Sequence, residues 1–459
     1  MKLISTNPAR NYIPLGVVNV SSSEEIENKV RMAAQVKESW RYLGIKQRKQ
    51  ILLHVLENFK LHKDELVNLI TSEIGKPIKE SIQEFDTFFL QAYKWFLSNC
   101  ERSLQPQIVY NDGKILNSIV YEPYGITAVI MPWNFPLEMF VWGVIPNLLV
   151  GNTVVMKHSE YCPLTAKVIE SIMYESELPQ GVFNMIYGDG QIGEGLVKSD
   201  IDLLWFTGSS KTGKYLFSVI GNKQKFIKSV MELGGSNPGI VFDDVEIDKY
   251  VDFIVSKRFL NCGQACNALK RLIVHHSIFD ETVQKLTDKV KKLHTGDPTD
   301  ANTDIGSLVS KTQLDKVKKQ VDESISKGAK IVIGGKQPEN LKGAYFLPTI
   351  LVNITSNMPV WQEEVFAPVL PVIQFQTEEE ATKLANNTKY GLGAHIFTKD
   401  KSRFERLSGR IQSGMVRLND SPQDYSAPFG GFKMSGIGRE HGELGFQELT
   451  QIKVIAIEK

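Results

Sequence analysis

The stretch that decides the fold reads Phe259-Leu260-Asn261-Cys262-Gly263-Gln264-Ala265-Cys266-Asn267-Ala268-Leu269-Lys270-Arg271. It places Cys266 in a turn of small and polar residues, followed by two bases. Such a turn exposes backbone N–H groups and leaves room for a substrate, and its cysteine becomes nucleophilic where donors or cations favour the thiolate. For a lone cysteine, a buried apolar role is the more common alternative. Motifs elsewhere in the chain favour the nucleophile.

These motifs occur in a fixed order along most of the chain. They are Pro132-Trp133-Asn134-Phe135-Pro136, Lys157-His158-Ser159-Glu160, Phe206-Thr207-Gly208-Ser209, Glu232-Leu233-Gly234-Gly235, Glu363-Glu364-Val365-Phe366 and Pro428-Phe429-Gly430-Gly431-Phe432-Lys433-Met434-Ser435-Gly436. Together with the cysteine turn, they resemble the NAD(P)-dependent aldehyde dehydrogenase superfamily. The compact length and the Lys270-Arg271 pair are most similar to the short succinate-semialdehyde dehydrogenase branch.

Composition excludes several classes of protein. The 459 residues are enough for two or three domains, and 42% hydrophobic with 23% charged residues is ordinary for a globular protein. A net charge of +1 without long runs of one sign argues against a nucleic-acid or membrane-surface binder. The scattered histidines form no metal-ligand cluster, so no metal is expected.

The expected compartment is the cytoplasm. Four cysteines are too few for a disulfide scaffold and favour a reducing environment. The N-terminus lacks a signal-peptide core. The most apolar stretch, 139–150, is shorter than the roughly 20 residues that a membrane span needs.

The hydrophobic pattern predicts an α/β fold. Short apolar strands alternate with helices from 125 to 232 and again from 238 to 420, which indicates two parallel sheets covered by helices. Helices are predicted near 24–45, 47–75 and 78–99. Asp112-Gly113 between two apolar runs predicts a β-hairpin. The resemblance implies an aldehyde dehydrogenase-like fold: a cofactor-binding domain (1–103 and 125–233), a catalytic domain (234–440), and an oligomerisation arm (104–124 and 441–459) in which the hairpin pairs with the last strand.

Two glycine-rich stretches compete as nucleotide loops. Gly188 to Gly193 fits the dinucleotide fingerprint after a predicted strand, although a tight turn explains it equally. Gly208 to Tyr215 nearly matches a P-loop, but Tyr215 occupies the position of the Mg²⁺-binding hydroxyl, which disfavours a nucleotide triphosphatase.

The resemblance implies the chemistry of three residues. Cys266 is the nucleophile that adds to the aldehyde. Its backbone N–H and the Asn134 side-chain amide hold the developing oxyanion. Glu232 is the general base for the thiol or for the deacylating water. Alone, Asn134 is typical of a turn and Glu232 of a solvated strand end.

The resemblance also assigns the cofactor. It places Lys157 and Glu160 near the adenine ribose, where a carboxylate favours NAD over NADP, which remains the alternative. Gly208 and Ser209, at a helix N-terminus, suit the pyrophosphate. The other cofactor-binding residues it implies are Trp133, Leu233, Glu364 and Phe366.

The expected substrate is a small aldehyde. Where semialdehyde enzymes place an arginine for the distal carboxylate, this chain has Trp142 and Leu260. With Phe135 and Phe429 they predict a pocket for an aliphatic or aromatic tail. Succinate semialdehyde is the alternative, with Arg417 or Lys270 as its anchor.

Other classes of function remain open at this point. They are a non-catalytic cofactor-binding protein and an acyltransferase that uses coenzyme A. Both are disfavoured because Cys266 and Glu232 are present. Cys262 is either a small loop residue or a resolving thiol for a regulatory disulfide. A homodimer or homotetramer is expected.

Overall fold

The N-terminal part of the chain is mostly helical. The computed structural model describes residues 1–459 and begins with β1 (Lys2–Asn7), β2 (Ile13–Asn19), α1 (Ser23–Tyr42), α2 (Ile45–Leu61), α3 (Lys63–Ile74), α4 (Ile78–Gln83), a π-helical segment (Glu84–Phe89) and α5 (Leu90–Ser103). The single helix predicted at 47–75 is wrong, because His62 (φ −97°, ψ 14°) separates α2 from α3. Asp64 and Glu65 then suit a new helix N-terminus. The antiparallel pair β1–β2 was not predicted, since Pro14 and Gly16 interrupt its strand pattern.

The remaining elements follow the predicted alternation. The central part contains β3 (Gln107–Asn111), β4 (Ile115–Pro123), β5 (Ile126–Ile130), α6 (Pro136–Gly143), α7 (Ile145–Val150), β6 (Thr153–Lys157), α8 (Pro163–Glu175), β7 (Phe183–Ile186), α9 (Gly190–Lys198), β8 (Leu203–Thr207), α10 (Ser210–Gly221) and β9 (Lys228–Glu232). The C-terminal part contains β10 (Asn237–Val241), α11 (Val251–Phe259), β11 (Leu269–His275), α12 (Phe279–Val290), α13 (Lys311–Ser326), β12 (Lys330–Ile333), β13 (Thr349–Val352), α14 (Pro359–Gln362), β14 (Val369–Phe375), α15 (Glu378–Asn386), β15 (Gly393–Phe397), α16 (Lys401–Ser408), β16 (Met415–Leu418), β17 (Gly436–Ile437), α17 (Gly442–Glu448) and β18 (Thr450–Glu458).

The first sheet has the strand order β17-β9-β8-β5-β6-β7. Strands β5 to β9 are parallel, and β17 adds an antiparallel edge. Every residue of β5, β6 and β8 is buried, as expected for strands covered on both faces. The chain leaves β5 towards β6 on one side and later returns to β8 on the other. A crevice therefore opens beyond the carboxyl ends of β5 and β8, which is where α/β sheets bind ligands.

The second sheet has the order β12-β13-β14-β11-β10-β15-β16. It is parallel except for β12, which pairs antiparallel with β13, so the sheet is mixed at that edge. Strand β11 begins three residues after Cys266, which ties the cysteine turn to the centre of this sheet. The sheets agree with the predicted α/β fold, whereas the domain boundaries stay a prediction.

The hairpin predicted around Asp112-Gly113 is present. Asp112 Oδ1 accepts hydrogen bonds from the backbone N–H groups of Lys114 (2.9 Å) and Ile115 (2.7 Å), and Gly113 takes φ +90°. Strand β4 pairs antiparallel with β18 over its whole length. The three-stranded sheet β18-β4-β3 leaves apolar side chains exposed, such as Ile108 (65%) and Val454 (64%). None of the helices in the chain has the length and apolar composition that crossing a bilayer requires.

Candidate active site

A cleft of about 450 Å³ lies where the carboxyl ends of the first sheet face the cysteine turn of the second. Of the residues predicted for catalysis, cofactor or substrate, thirteen line it: Trp133, Asn134, Phe135, Trp142, Lys157, Glu160, Gly208, Ser209, Leu233, Leu260, Cys266, Glu364 and Phe366. The two that do not are Glu232 and Phe429. Phe429 packs behind Trp142, with 5.3 Å between ring centroids. The roles themselves stay predictions.

The turn that carries Cys266 is strained and firmly anchored. Asn261 (φ 50°) and Cys262 (φ 55°) both take left-handed backbone angles just before it. The Asn261 side chain donates to the backbone carbonyl of Asn134 at 2.8 Å, which joins the turn to the first sheet. The buried Arg258 guanidinium donates to the carbonyls of Val365 and Ala367. These bonds hold the turn against the loops that border the cleft on both sides.

Cys266 is the cysteine that reaches the cleft. The other three cysteines are buried and free. Burial raises the pKa of the Cys266 thiol to about 12, and the Lys270 ammonium opposes that rise. Lys270 donates to the Cys266 carbonyl at 3.2 Å and pairs with Glu364, so it links the predicted nucleophile to a predicted cofactor-binding residue. Burial also raises the pKa of the Cys262 thiol, and Cys262, unlike Cys266, does not line the cleft, which is unlike an accessible resolving thiol.

The Asn134 amide is held at the cysteine turn. Its Nδ2 donates to the Gln264 carbonyl at 3.0 Å, two residues before Cys266. An amide nitrogen carries two hydrogens, so the second remains available to a substrate oxygen. Asn134 lines the cleft together with Cys266, which is the arrangement that the oxyanion role requires.

The Glu232 carboxylate does not line the cleft. It ends β9, is buried, and neither oxygen has a hydrogen-bond partner. A Cβ on Gly430 would lie 2.7 Å from its Oε1, so only glycine leaves room there. Burial, and then the charge of Glu440, raise its pKa well above the ordinary value, while Arg439 lowers it. The predicted role as general base therefore requires the side chain to rotate towards Cys266.

The cofactor residues occupy one end of the cleft. Lys157 Nζ pairs with Glu160 Oε2 at 3.0 Å. Ser209 caps α10 by accepting from the Thr212 N–H at 3.1 Å, and it leaves the helix N-terminus facing the cleft. The carboxylate of Glu364 contacts Gly234, where any side chain would collide with it. A carboxylate and a helix N-terminus that line one cleft suit the ribose and the phosphates of a dinucleotide.

Each of the two competing glycine-rich loops lies where a helix begins, the first at α9 and the second at α10. Asp189, inside the first loop, caps α9 by accepting from the Gln191 N–H at 2.9 Å. Gly190 and Gly193 line the cleft beside Lys157, so a contact between that loop and a nucleotide stays open.

Three charged cleft residues escaped the sequence analysis, namely Glu138, Lys257 and Lys316. Glu138 lies in the first turn of α6, four residues after Asn134, and this closeness to the motif was the available signal. Lys257 lies in the last turn of α11, nine residues before Cys266, where nothing in the pattern separates it from a surface lysine.

The cleft brings a thiol and a crevice of the dinucleotide-binding kind together between two α/β sheets, which is the arrangement that the predicted class of oxidoreductase requires. The chain belongs to the aldehyde dehydrogenase family, whose family model matches residues 2–455. It is similar to the betaine aldehyde dehydrogenase of Bacillus subtilis (37% identity, covering 91% of this chain and 86% of that protein). It is also similar to aminoaldehyde dehydrogenase 1 of Pisum sativum (35%, 99% and 92%) and to the lactaldehyde dehydrogenase of Methanococcus aeolicus (35%, 98% and 96%).

Solved structures match over almost the whole chain. The betaine aldehyde dehydrogenase of Staphylococcus aureus in complex with NAD⁺ has a TM-score of 0.94 at 33% identity, covering 99% of this chain and 91% of that one. An NADP-dependent enzyme of E. coli has a TM-score of 0.95 at 33% identity, covering 100% and 95%. The predicted family, fold and enzyme class are confirmed. None of these relatives is named for succinate semialdehyde, so the branch resemblance is not supported by them.

Proposed function

We propose that this aldehyde dehydrogenase uses Cys266 as its nucleophile and NAD as its preferred cofactor. One observation carries the assignment of the nucleophile: of the four cysteines, Cys266 alone lines the cleft. The cytoplasm is the compartment we propose, because free cysteines are typical of reducing environments.

The residues divide the reaction into two stages. The Cys266 thiolate adds to the aldehyde carbon, and its backbone N–H with the Asn134 amide stabilises the resulting oxyanion. A bound nicotinamide would supply the hydride acceptor. Loss of hydride from the thiohemiacetal leaves a thioester on Cys266. Glu232, rotated towards the cleft, takes a proton from water, whose oxygen attacks the thioester and releases the acid and the thiol.

An assay of products tests this function. Purified enzyme with NAD and butanal is expected to form NADH and free butanoate in equal amounts without coenzyme A. A requirement for coenzyme A would overturn the hydrolytic assignment and favour an acyltransferase.

Glu160 is proposed to set the preference for NAD. Its carboxylate lines the cleft and would repel a 2′-phosphate, although its ion pair with Lys157 partly offsets that charge. We expect Glu160→Gln to lower the NAD-to-NADP ratio of kcat/KM about tenfold, equivalent to about 1.4 kcal/mol. Steady-state kinetics with each cofactor measure the ratio. Glu175→Gln, on the neighbouring helix α8, is the matched control, and an unchanged ratio in Glu160→Gln would contradict the assignment.

The walls near Cys266 favour a small substrate. Phe135, Trp142 and Leu260 line the cleft and suit the hydrocarbon part of an aliphatic or aromatic aldehyde. The bases suggested as anchors for succinate semialdehyde are otherwise engaged, since Lys270 pairs with Glu364 and Arg417 donates to Gln423.

We propose that the three-stranded sheet β18-β4-β3, which forms the predicted oligomerisation arm, joins subunits into a homodimer or homotetramer. Its apolar exposed residues, among them Ile452 (65%) and Val454 (64%), make a row that a second copy would cover. We expect Val454→Lys to lower the mass measured by light scattering by at least half. Leu61→Lys, at a still more exposed position (81%) outside the arm, is the control. An unchanged mass for Val454→Lys would contradict the arm interface.

A further inference from the structure

Two opposite charges face the substrate end of the cleft without partners. Glu138 and Lys257 both line it, and neither forms an ion pair or a side-chain hydrogen bond, whereas Lys76–Glu84 and Lys270–Glu364 are closed buried pairs. Charged groups enclosed by protein are normally paired, because the loss of water around an isolated charge is unfavourable. Each of these two side chains thus offers an open site to a ligand.

The position of Glu138 relates it to the reacting atoms. Glu138 lies in the first turn of α6, four residues after Asn134, and Trp142 follows one turn later; all three line the cleft. The charge of Glu138 also reaches the Cys266 thiol, so Glu138 lies within range of a short tail on the aldehyde carbon.

Lys257 supplies the positive group. It lines the cleft from α11, and burial, followed by the charge of Arg417, lowers its pKa to about 8, whereas the charges of Cys266 and Glu138 oppose that fall. The Arg417 guanidinium donates to Gln423 Oε1 at 2.6 Å and pairs with no carboxylate. The Lys257 side of the cleft is therefore positive, and the Glu138 side holds the only unpaired carboxyl group that lines the substrate end.

Only one kind of substrate tail pairs with both Glu138 and Lys257. An uncharged tail would displace water from both groups and pair with neither. A tail with only a carboxylate would leave Glu138 unpaired, and one with only an ammonium would leave Lys257 unpaired. We propose that the substrate is an α-amino acid semialdehyde, whose ammonium group binds Glu138 and whose carboxylate binds Lys257. This inference rests on the proposed function, since it concerns the same cleft.

Four short aldehydes that differ in charge test the proposal. L-aspartate 4-semialdehyde differs from succinate semialdehyde only by its ammonium group, 3-aminopropanal carries only an ammonium, and butanal carries no charge. We expect kcat/KM for L-aspartate 4-semialdehyde to exceed each of the others at least about tenfold, because charge-assisted hydrogen bonds form with both its ammonium and its carboxylate. A highest value for succinate semialdehyde, for 3-aminopropanal or for butanal, or equal values, would overturn the proposal.

Two variants test which side chain binds which charged group of the substrate. Glu138→Gln is expected to remove the advantage of L-aspartate 4-semialdehyde over succinate semialdehyde, and Lys257→Met its advantage over 3-aminopropanal. Lys249→Met, exposed near the start of the same helix, is the control that should keep the wild-type order. The reverse pairing of losses would overturn the assignment of the two residues.

A binding measurement separates this inference from the proposed function. Calorimetric titration of L-aspartate, succinate and 3-aminopropanoate into the NAD-bound Cys266→Ala enzyme reads the charge preference without turnover. Tightest binding of L-aspartate supports the inference even if catalysis fails. Butanal oxidation that depends on Cys266, with no preference among the three acids, would leave the proposed function standing and overturn the inference.

Discussion

Cys266→Ala is expected to abolish aldehyde-dependent NADH formation, with a fall in kcat of about 10⁴-fold or more. Neither the thiohemiacetal nor the thioester forms without the thiol, and alanine offers no replacement nucleophile. Stopped-flow and steady-state assays with butanal and NAD measure the loss. The variant should keep its fold, because Cys266 is only half-buried and its side chain makes no hydrogen bond.

Cys262→Ser is the matched control for the nucleophile. Cys262 lies four residues earlier in the same turn but is buried away from the cleft, so most of the activity should remain. Activity lost equally in both variants would show that the turn, and not the thiol of Cys266, was disturbed. If DTT reverses oxidative inactivation equally well in Cys262→Ser and in the wild type, the regulatory disulfide is excluded.

The raised pKa of Cys266 predicts how the rate of its alkylation depends on pH. Only the thiolate is alkylated, and burial holds the thiol pKa at about 12. The rate of inactivation by iodoacetamide in the absence of NAD should therefore rise about tenfold per pH unit between pH 7 and pH 10. A plateau near pH 8 would mean that Lys270 or Lys257 lowers the pKa much further than burial raises it.

The fold was predictable because local pattern and tertiary structure agree. Strands such as Ile126–Ile130 are buried throughout and mostly apolar. The Asp112-Gly113 turn is fixed locally, because the Asp112 carboxylate accepts backbone hydrogen bonds and Gly113 takes a positive φ. The misses have physical reasons. His62 ends a helix whose apolar spacing continues on both sides, and β12 runs antiparallel because an edge strand needs only one partner.

The site residues that lie in motifs were predictable from the sequence. Those whose position or orientation depends on packing against distant residues were not. Asn134 and Cys266 lie in motifs, and both line the cleft. The orientation of Glu232 depends on Gly430, which is almost two hundred residues away in sequence. Glu138 and Lys257 look like ordinary helix-surface charges until the two sheets enclose them around one cavity.

Glu232→Gln is expected to slow the second half of the reaction more than the first. The amide cannot take a proton from water, so the thioester on Cys266 should accumulate while hydride transfer continues. We expect a burst of about one NADH per subunit, followed by a steady-state rate lowered about 10²- to 10³-fold. Rapid mixing with NAD and butanal measures both phases, and trapping of the thioester with hydroxylamine identifies what accumulates. Loss of the burst together with the steady state would place Glu232 in activation of the thiol instead.

The burial of Glu232 also predicts how the thermal stability of Glu232→Gln differs from that of the wild type as pH changes. Burial and Glu440 raise the folded-state pKa of Glu232, so its contribution to stability is full below the unfolded-state pKa of about 4.3 and is lost as pH rises towards the folded value. Glutamine does not titrate, so the melting temperature of Glu232→Gln should gain on that of the wild type between pH 5 and pH 9. A parallel pH dependence of the two proteins would mean that Glu232 is already charged, turned into the cleft and solvated. In that case the base would be in place before substrate binds, and no rotation would be required.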